Sequence, residues 1–314
     1  MEKSFYKYEI EPDKFWINQN YIIQLNITGE CPLNCDFCYI KKNYSNIFLS
    51  LKKLQKLWEN LRKYHELYGI TYTVNLTGGD IFYHPKLSEI LKFIYNEPSI
   101  KLVEPLINRF WKNENRQTLS ILKDKVTRIQ FNSDVVLDRD IEYAKAISKE
   151  VILKVSIYSG KCKNNLKKIQ SILRKFENVS ICTDLIIPQK NSKINEEDFV
   201  LNNPLKMKKL VQKFKNSFGE RFRLTSTTGN RIVGGERYLC PVPLGGLCVM
   251  PDGRIVSCAK YPHLSSGFNI SNFDLEEYII KYNKLCSNFC LFENKYFTDF
   301  WKESENPLNF RRKT

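Results

Sequence analysis

No stretch of the 314-residue chain reaches the ~18 consecutive apolar residues of a membrane span, and Met1 to Trp16 carries alternating charges without the apolar core of a signal peptide. Both absences point to a cytoplasmic, reduced location. Glycine (13) and proline (12) are scarce, which excludes collagen-like and low-complexity disordered classes, and no internal repeat is visible. In a reducing compartment the ten cysteines are better explained as metal ligands or redox groups than as disulfides.

The chain is rich in basic side chains: its net charge is +15, with 42% hydrophobic and 26% charged residues, an ordinary globular balance. Such a charge suits an acidic partner, whether nucleic acid or acidic peptide. The competing reading is a solvated basic surface, because the lysines recur on helix faces such as Lys206, Lys208, Lys209, Lys213 and Lys215. A nucleic-acid partner is therefore not the leading expectation.

From Tyr21 to Pro188, short β-rich runs alternate with amphipathic runs, a pattern that predicts parallel βα units. Six strands are expected at Tyr21–Thr28, Thr71–Thr77, Ile100–Leu106, Val126–Ser133, Val151–Tyr158 and Val179–Ile187. Ser50 and Gly69 read as the caps of a helix with an apolar stripe at Leu51, Leu54, Trp58 and Leu61, and a shorter helix is expected over Ala144–Lys149. Several strands carry polar residues on one alternate face, as with Gln24, Asn26 and Thr28, or Arg128, Gln130 and Asn132. In a half-closed barrel with helices outside, that face is a lumen suited to a ligand; an exposed edge is the alternative. The length allows one large α/β domain or a barrel with a smaller second unit, and the expected fold is the latter: a partial (β/α)6 TIM-like barrel over residues 21–228, after an N-terminal extension of residues 1–20. A small Cys-rich unit with tail, residues 229–314, follows; there long helical periodicity fades until Phe273–Leu285, and metal is the obvious stabiliser.

Cys31-Pro-Leu-Asn-Cys35-Asp-Phe-Cys38 directly follows the first strand, where a barrel places its catalytic loops. Three thiolates from one loop can hold three irons of a cubane cluster and leave the fourth open. Zinc is the alternative, although structural zinc usually takes four ligands from two separated pairs.

With its C-x3-C-x2-C spacing and an aromatic, Phe37, before the last cysteine, the chain resembles the radical S-adenosylmethionine superfamily. The resemblance implies a four-iron cluster on Cys31, Cys35 and Cys38 that binds S-adenosylmethionine, passes it one electron from a donor such as flavodoxin or ferredoxin, and cleaves it to a 5'-deoxyadenosyl radical. Gly78-Gly79-Asp80, at the end of the second strand, is similar to the family's GGE motif; glycines permit close backbone approach and a carboxylate accepts bonds from an ammonium. Asp80 is one methylene shorter than the usual Glu. Asn132, Ser133 and Lys154 occupy places where members hold the cofactor's ribose and carboxylate; a polar lumen role without cofactor contact is the alternative for each.

Further along, Cys240 is followed by Gly253 and Cys258, and then by Cys286 and Cys290. The first part resembles the start of SPASM and twitch domains, with Met250 to Cys258 as a β-hairpin turning at Asp252-Gly253. The resemblance implies one auxiliary 4Fe-4S cluster on Cys240, Cys258, Cys286 and Cys290, in a twitch-type domain. The gap between Cys286 and Cys290 is longer than usual, so Cys248 is an alternative ligand; buried reduced cysteines or zinc would be a different outcome.

Members with a barrel and an auxiliary cluster mostly remodel peptides or proteins. The expected activity is hydrogen abstraction from a peptide or protein substrate, an acidic one being the better match to the basic chain, ending in crosslinking, oxidation or epimerisation during peptide natural-product maturation. A small-molecule radical dehydrogenase and a non-enzymatic iron-sulfur or zinc scaffold are the alternatives. Cys248 and Cys182 are candidate hydrogen-atom donors for epimerisation.

Overall fold

The computed structural model of the protein describes residues 20–157, 166–185, 204–224, 246–256 and 265–279. Its strands are β1 (Asn20–Asn26), β2 (Thr71–Thr77), β3 (Ile100–Ile107), β4 (Arg128–Asn132), β5 (Glu150–Ile157), β6 (Val179–Leu185), β7 (Phe222–Leu224), β8 (Gly246–Val249), β9 (Arg254–Val256) and β10 (Ser265–Asn269). The helices are α1 (Tyr39–Tyr44), α2 (Leu51–Tyr68), α3 (Leu87–Asn96), α4 (Asn113–Ser120), α5 (Asp138–Ile147), α6 (Leu166–Lys175) and α7 (Pro204–Phe218). The strands form one sheet in the order β10-β9-β8-β1-β2-β3-β4-β5-β6-β7. Pairing is parallel from β8 through β7 and antiparallel for β8–β9 and β9–β10. This is a mixed α/β fold with the partial TIM-like barrel expected from the βα alternation.

The six expected strands form within one or two residues of their predicted bounds. Ser50 caps α2 by accepting from Lys53 N at 3.3 Å, and Gly69 ends it in the left-handed conformation at φ 68°. Such a cap contributes about 1 kcal/mol. The buried stripe of α2 is Leu54, Leu57, Trp58, Leu61 and Tyr64, with Leu51 only partly covered. Trp58 packs edge-on against Tyr72 of β2 and Phe93 of α3. α5 starts earlier than its apolar residues suggest, because the Asp140 carboxylate accepts from Leu137 N at 2.9 Å and fixes the first turn at Asp138. α4, with one buried apolar residue, Leu119, has too weak a stripe to be read from periodicity.

Alternation divides the strands cleanly. Tyr21, Ile23, Leu25 and Ile27, Tyr72, Val74 and Leu76, and Ile129 and Phe131 join the helices in one core. The opposite, concave face carries the polar set, including an ion-pair ladder in which Arg128 meets Glu104 at 2.9 Å and Glu150 at 4.0 Å, while Ser180 donates to Glu150 at 2.9 Å. Burial pushes the Glu104 carboxyl above its ordinary value.

The β8–β9 hairpin turns at Met250-Pro251-Asp252-Gly253, with Gly253 at φ 94° and its N–H donating to the Met250 carbonyl at 2.9 Å. It buttresses α1: Cys248, Met250 and Val256 form a small core with Ile40 and Tyr44, and Arg254 donates to the Tyr44 hydroxyl at 2.6 Å. The 228/229 boundary and Cys162, Cys240, Cys258, Cys286 and Cys290 lie outside the described residues, as does nearly all of the 1–20 extension. Among the described residues no helix is long and apolar enough to cross a membrane.

Candidate functional site

Cys31, Cys35 and Cys38 lie in the loop between β1 and α1, at the carboxyl ends of the parallel strands, and all three are partly exposed. The loop folds back on itself: Cys38 N donates to the Cys35 carbonyl at 3.1 Å, and Cys38 Sγ accepts from Lys41 N at 3.4 Å as the cap of α1. Phe37 between them is partly buried. Burial first, and then mutual repulsion among the thiolates and nearby carboxylates, pushes Cys31 and Cys35 up to about 11. Such thiols keep their protons until a metal displaces them. Among the described residues no three Cys, His, Asp or Glu side chains converge as a single metal ion would require. A cubane places its thiolates on three separate irons, so three neighbouring, accessible thiols on one loop fit it better than they fit zinc.

The loop after β2 is laid against this one by backbone bonds. Gly79 N donates to the Thr28 carbonyl at 2.8 Å and Asp80 N to the Glu30 carbonyl at 2.7 Å. A Cβ on Gly78, whose φ is 148°, would stand 2.5 Å from the Thr28 carbonyl oxygen, and one on Gly79 would overlap the Glu30 carbonyl. The close approach these glycines allow is thus to the protein's own cysteine loop. Glu30 is itself held, its carboxylate accepting from Asn46 N at 2.6 Å.

Asp80 is 1% exposed. Its Oδ2 accepts from Trp111 Nε1 at 2.6 Å and Asn108 Nδ2 at 2.9 Å, and its Oδ1 from Phe82 N at 3.1 Å. Burial raises its carboxyl above the ordinary value against the pull of these three donors. Asn108, one residue past β3, also directs Nδ2 toward Cys31 Sγ at 3.5 Å and accepts from Asn132 Nδ2 at 3.2 Å. Asn132 Oδ1 in turn accepts from Asp134 N at 3.0 Å.

The structure therefore links Cys31, Asp80 and Asn132 through Asn108. Lys154 is partly exposed and in register with Asn132 on β4 and Cys182 on β6, whereas Ser133 is fully buried with its N–H on the Lys154 carbonyl at 3.1 Å. Cys182 and Cys248 are buried on the concave side, and Cys248 Sγ accepts from Asn26 Nδ2 at 3.1 Å. His84 is structural: Lys86 N donates to its Nδ1, leaving Nε2–H for the Leu49 carbonyl at 3.0 Å. Asn108 and Trp111 escaped sequence reasoning. A signal existed for Asn108, because Glu104, Leu106 and Asn108 continue the period-two face past the end of β3.

The family model describing the Radical SAM superfamily matches residues 25–187, just over half of the chain. Among solved structures, Streptococcus suis SuiB bound to S-adenosylmethionine is similar at 14% identity and a TM-score of 0.62, covering 92% of this chain and 75% of that one. Native anSMEcpe with bound AdoMet and Kp18Cys peptide gives 13% identity and a TM-score of 0.54, covering 94% of this chain and 100% of that one. At these identities the likeness is one of fold. No curated protein sequence matches.

Proposed function

Because this chain belongs to the radical SAM superfamily, whose members carry a 4Fe-4S cluster and use S-adenosylmethionine, we propose that it abstracts hydrogen from a peptide or protein substrate and thereby crosslinks, oxidises or epimerises it. The observation that carries the reading is the joining of the Cys31–Cys38 loop to the Gly78-Gly79-Asp80 loop by the Thr28 and Glu30 carbonyls, at the carboxyl edge of a half-barrel with a polar concave face. When bound, the cluster and S-adenosylmethionine supply reductive cleavage of the sulfonium and a hydrogen-abstracting radical.

The rest falls to the chain. Cys31, Cys35 and Cys38 hold the cluster, and Phe37 shields the loop from water. Gly78 and Gly79 keep the second loop in register with the first, so that its backbone carbonyls can accept from the cofactor's ammonium. Asn132 at the end of β4 and Lys154 beside it within β5 orient the cofactor's ribose and carboxylate, and the fully buried Ser133 acts behind them, fixing the β4 end against β5 through its N–H on the Lys154 carbonyl. Cys240, Cys258, Cys286 and Cys290 hold the auxiliary cluster. Cys182 and Cys248 are the thiols from which a hydrogen atom could be returned to a substrate radical.

A peptide substrate is supported by the bound peptide of anSMEcpe and by the basic surface, which favours an acidic segment. The test is anaerobic incubation with S-adenosylmethionine, a reductant and a short acidic precursor peptide from the same gene neighbourhood. A change in peptide mass together with 5'-deoxyadenosine supports the reading. 5'-Deoxyadenosine without a peptide product, but with oxidation of a small alcohol or amine, replaces it with a dehydrogenase, and no cleavage at all leaves a scaffold.

A further inference from the structure

Asn108 has an orientation that its neighbours decide. The buried Asp80 carboxylate offers only acceptors on this side, so the amide must present Nδ2 to it, at 2.9 Å, and Oδ1 to Asn132, at 3.2 Å. With one amide proton taken by Asp80, the second is left for Cys31 Sγ at 3.5 Å. The clamp is itself braced. Trp111 donates to the same carboxylate oxygen at 2.6 Å, the Arg109 guanidinium lies 5.4 Å from the Trp111 ring, and Arg109 meets the fully buried Asp140 at 3.7 Å.

We propose that Asn108 is a positioning residue that donates an N–H to the Cys31 thiolate of the bound cluster and raises its reduction potential, and that the Asp80 side chain serves as its clamp. The proposal rests on the reading of Cys31, Cys35 and Cys38 as cluster ligands. A bound 4Fe-4S cluster would take one electron from a low-potential donor in going from 2+ to 1+, and part of the added negative charge would fall on its sulfurs, the Cys31 thiolate among them. A fixed N–H dipole at one sulfur stabilises that more negative state, and partial burial strengthens the effect. The shorter Asp80, in place of Glu, keeps its carboxylate within reach of Asn108 and Trp111 behind the loop.

The experiment is an anaerobic redox titration of the reconstituted full chain, followed by EPR of the reduced cluster, with the Cys31, Cys35 and Cys38 triple alanine variant as the blank. Asn108→Leu should keep its iron, yet show about a tenfold lower ratio of reduced to oxidised cluster at the same poise, equivalent to about 59 mV for one electron. Trp111→Phe, which removes one brace of Asp80 but leaves the Asn108 bonds in place, should lower the ratio by less than Asn108→Leu does. A reading that needs no variant is pulsed EPR of the reduced protein labelled with 15N in its asparagine side chains, where a 15N coupling is expected. An iron-loaded protein with no 15N coupling, or an Asn108→Leu variant with iron and an unmoved potential, overturns the proposal alone. A protein whose iron content and EPR signal match those of the triple variant overturns the ligand reading, and the proposal with it.

Discussion

The backbone N–H of Asp80 donates to the carbonyl of Glu30 at 2.7 Å, one residue before Cys31. The second motif loop therefore bears on the geometry of the cysteine loop as well as on any cofactor. Gly79→Val is expected to displace Glu30 and with it Cys31, lowering both the iron bound by the first cluster and S-adenosylmethionine affinity. Gly69→Ala is the control: it lies at φ 68° with nothing near a new Cβ, so it should cost about 1 kcal/mol of stability and leave iron content unchanged. Iron analysis and equilibrium dialysis of the two variants decide the matter. Full iron in Gly79→Val would confine the motif to cofactor binding.

Two clusters should load about eight irons on anaerobic reconstitution. Replacing Cys31, Cys35 and Cys38 together is expected to remove about half of that iron and all 5'-deoxyadenosine formation. Replacing Cys240, Cys258, Cys286 and Cys290 should remove the other half while cleavage persists. Colorimetric iron and sulfide assays with product chromatography would show it; eight irons in either variant would contradict the ligand assignment.

The buried thiols on the concave face differ in surroundings. Cys248 is held by Asn26 and packed with Met250 under α1, whereas Cys182 lies on β6 beside Lys154. Cys182→Ala is expected to keep both clusters and cofactor cleavage but to stop deuterium uptake into product in heavy water, the signature of hydrogen return from a thiol. Undiminished deuterium in this variant and in Cys248→Ala would exclude both thiols as donors.

Away from the site, Glu97 meets Arg62 at 2.7 Å and accepts from Ser99 Oγ at 2.7 Å. Burial opposes its charge, but the Arg62 and Ser99 donors outweigh it and hold the carboxyl below its ordinary value. A depressed folded-state value means that the stabilisation is complete above the ordinary carboxylate range and is lost as pH falls through the lowered value. Glu97→Gln should therefore destabilise the protein by about 1–3 kcal/mol near neutral pH. The difference should shrink in acid, as urea unfolding at several pH values would show.

The barrel strands, the α2 caps, the hairpin turn at Asp252-Gly253 and the triad of cysteines were all legible in the chain, because each depends on local rules. Alternation sets which face of a strand is buried, a serine hydroxyl finds the N–H three residues on, and a glycine takes a positive φ. The C-x3-C-x2-C spacing is likewise a property of one loop. Tertiary structure alone decided what surrounds those cysteines. Asn108 meets Cys31 across 77 residues and Asp80 across 28, Cys248 meets Asn26 across 222, and the two glycines prove to be required by a backbone about 50 residues upstream. Such contacts depend on which strand lies beside which and in what register, and no local preference encodes that.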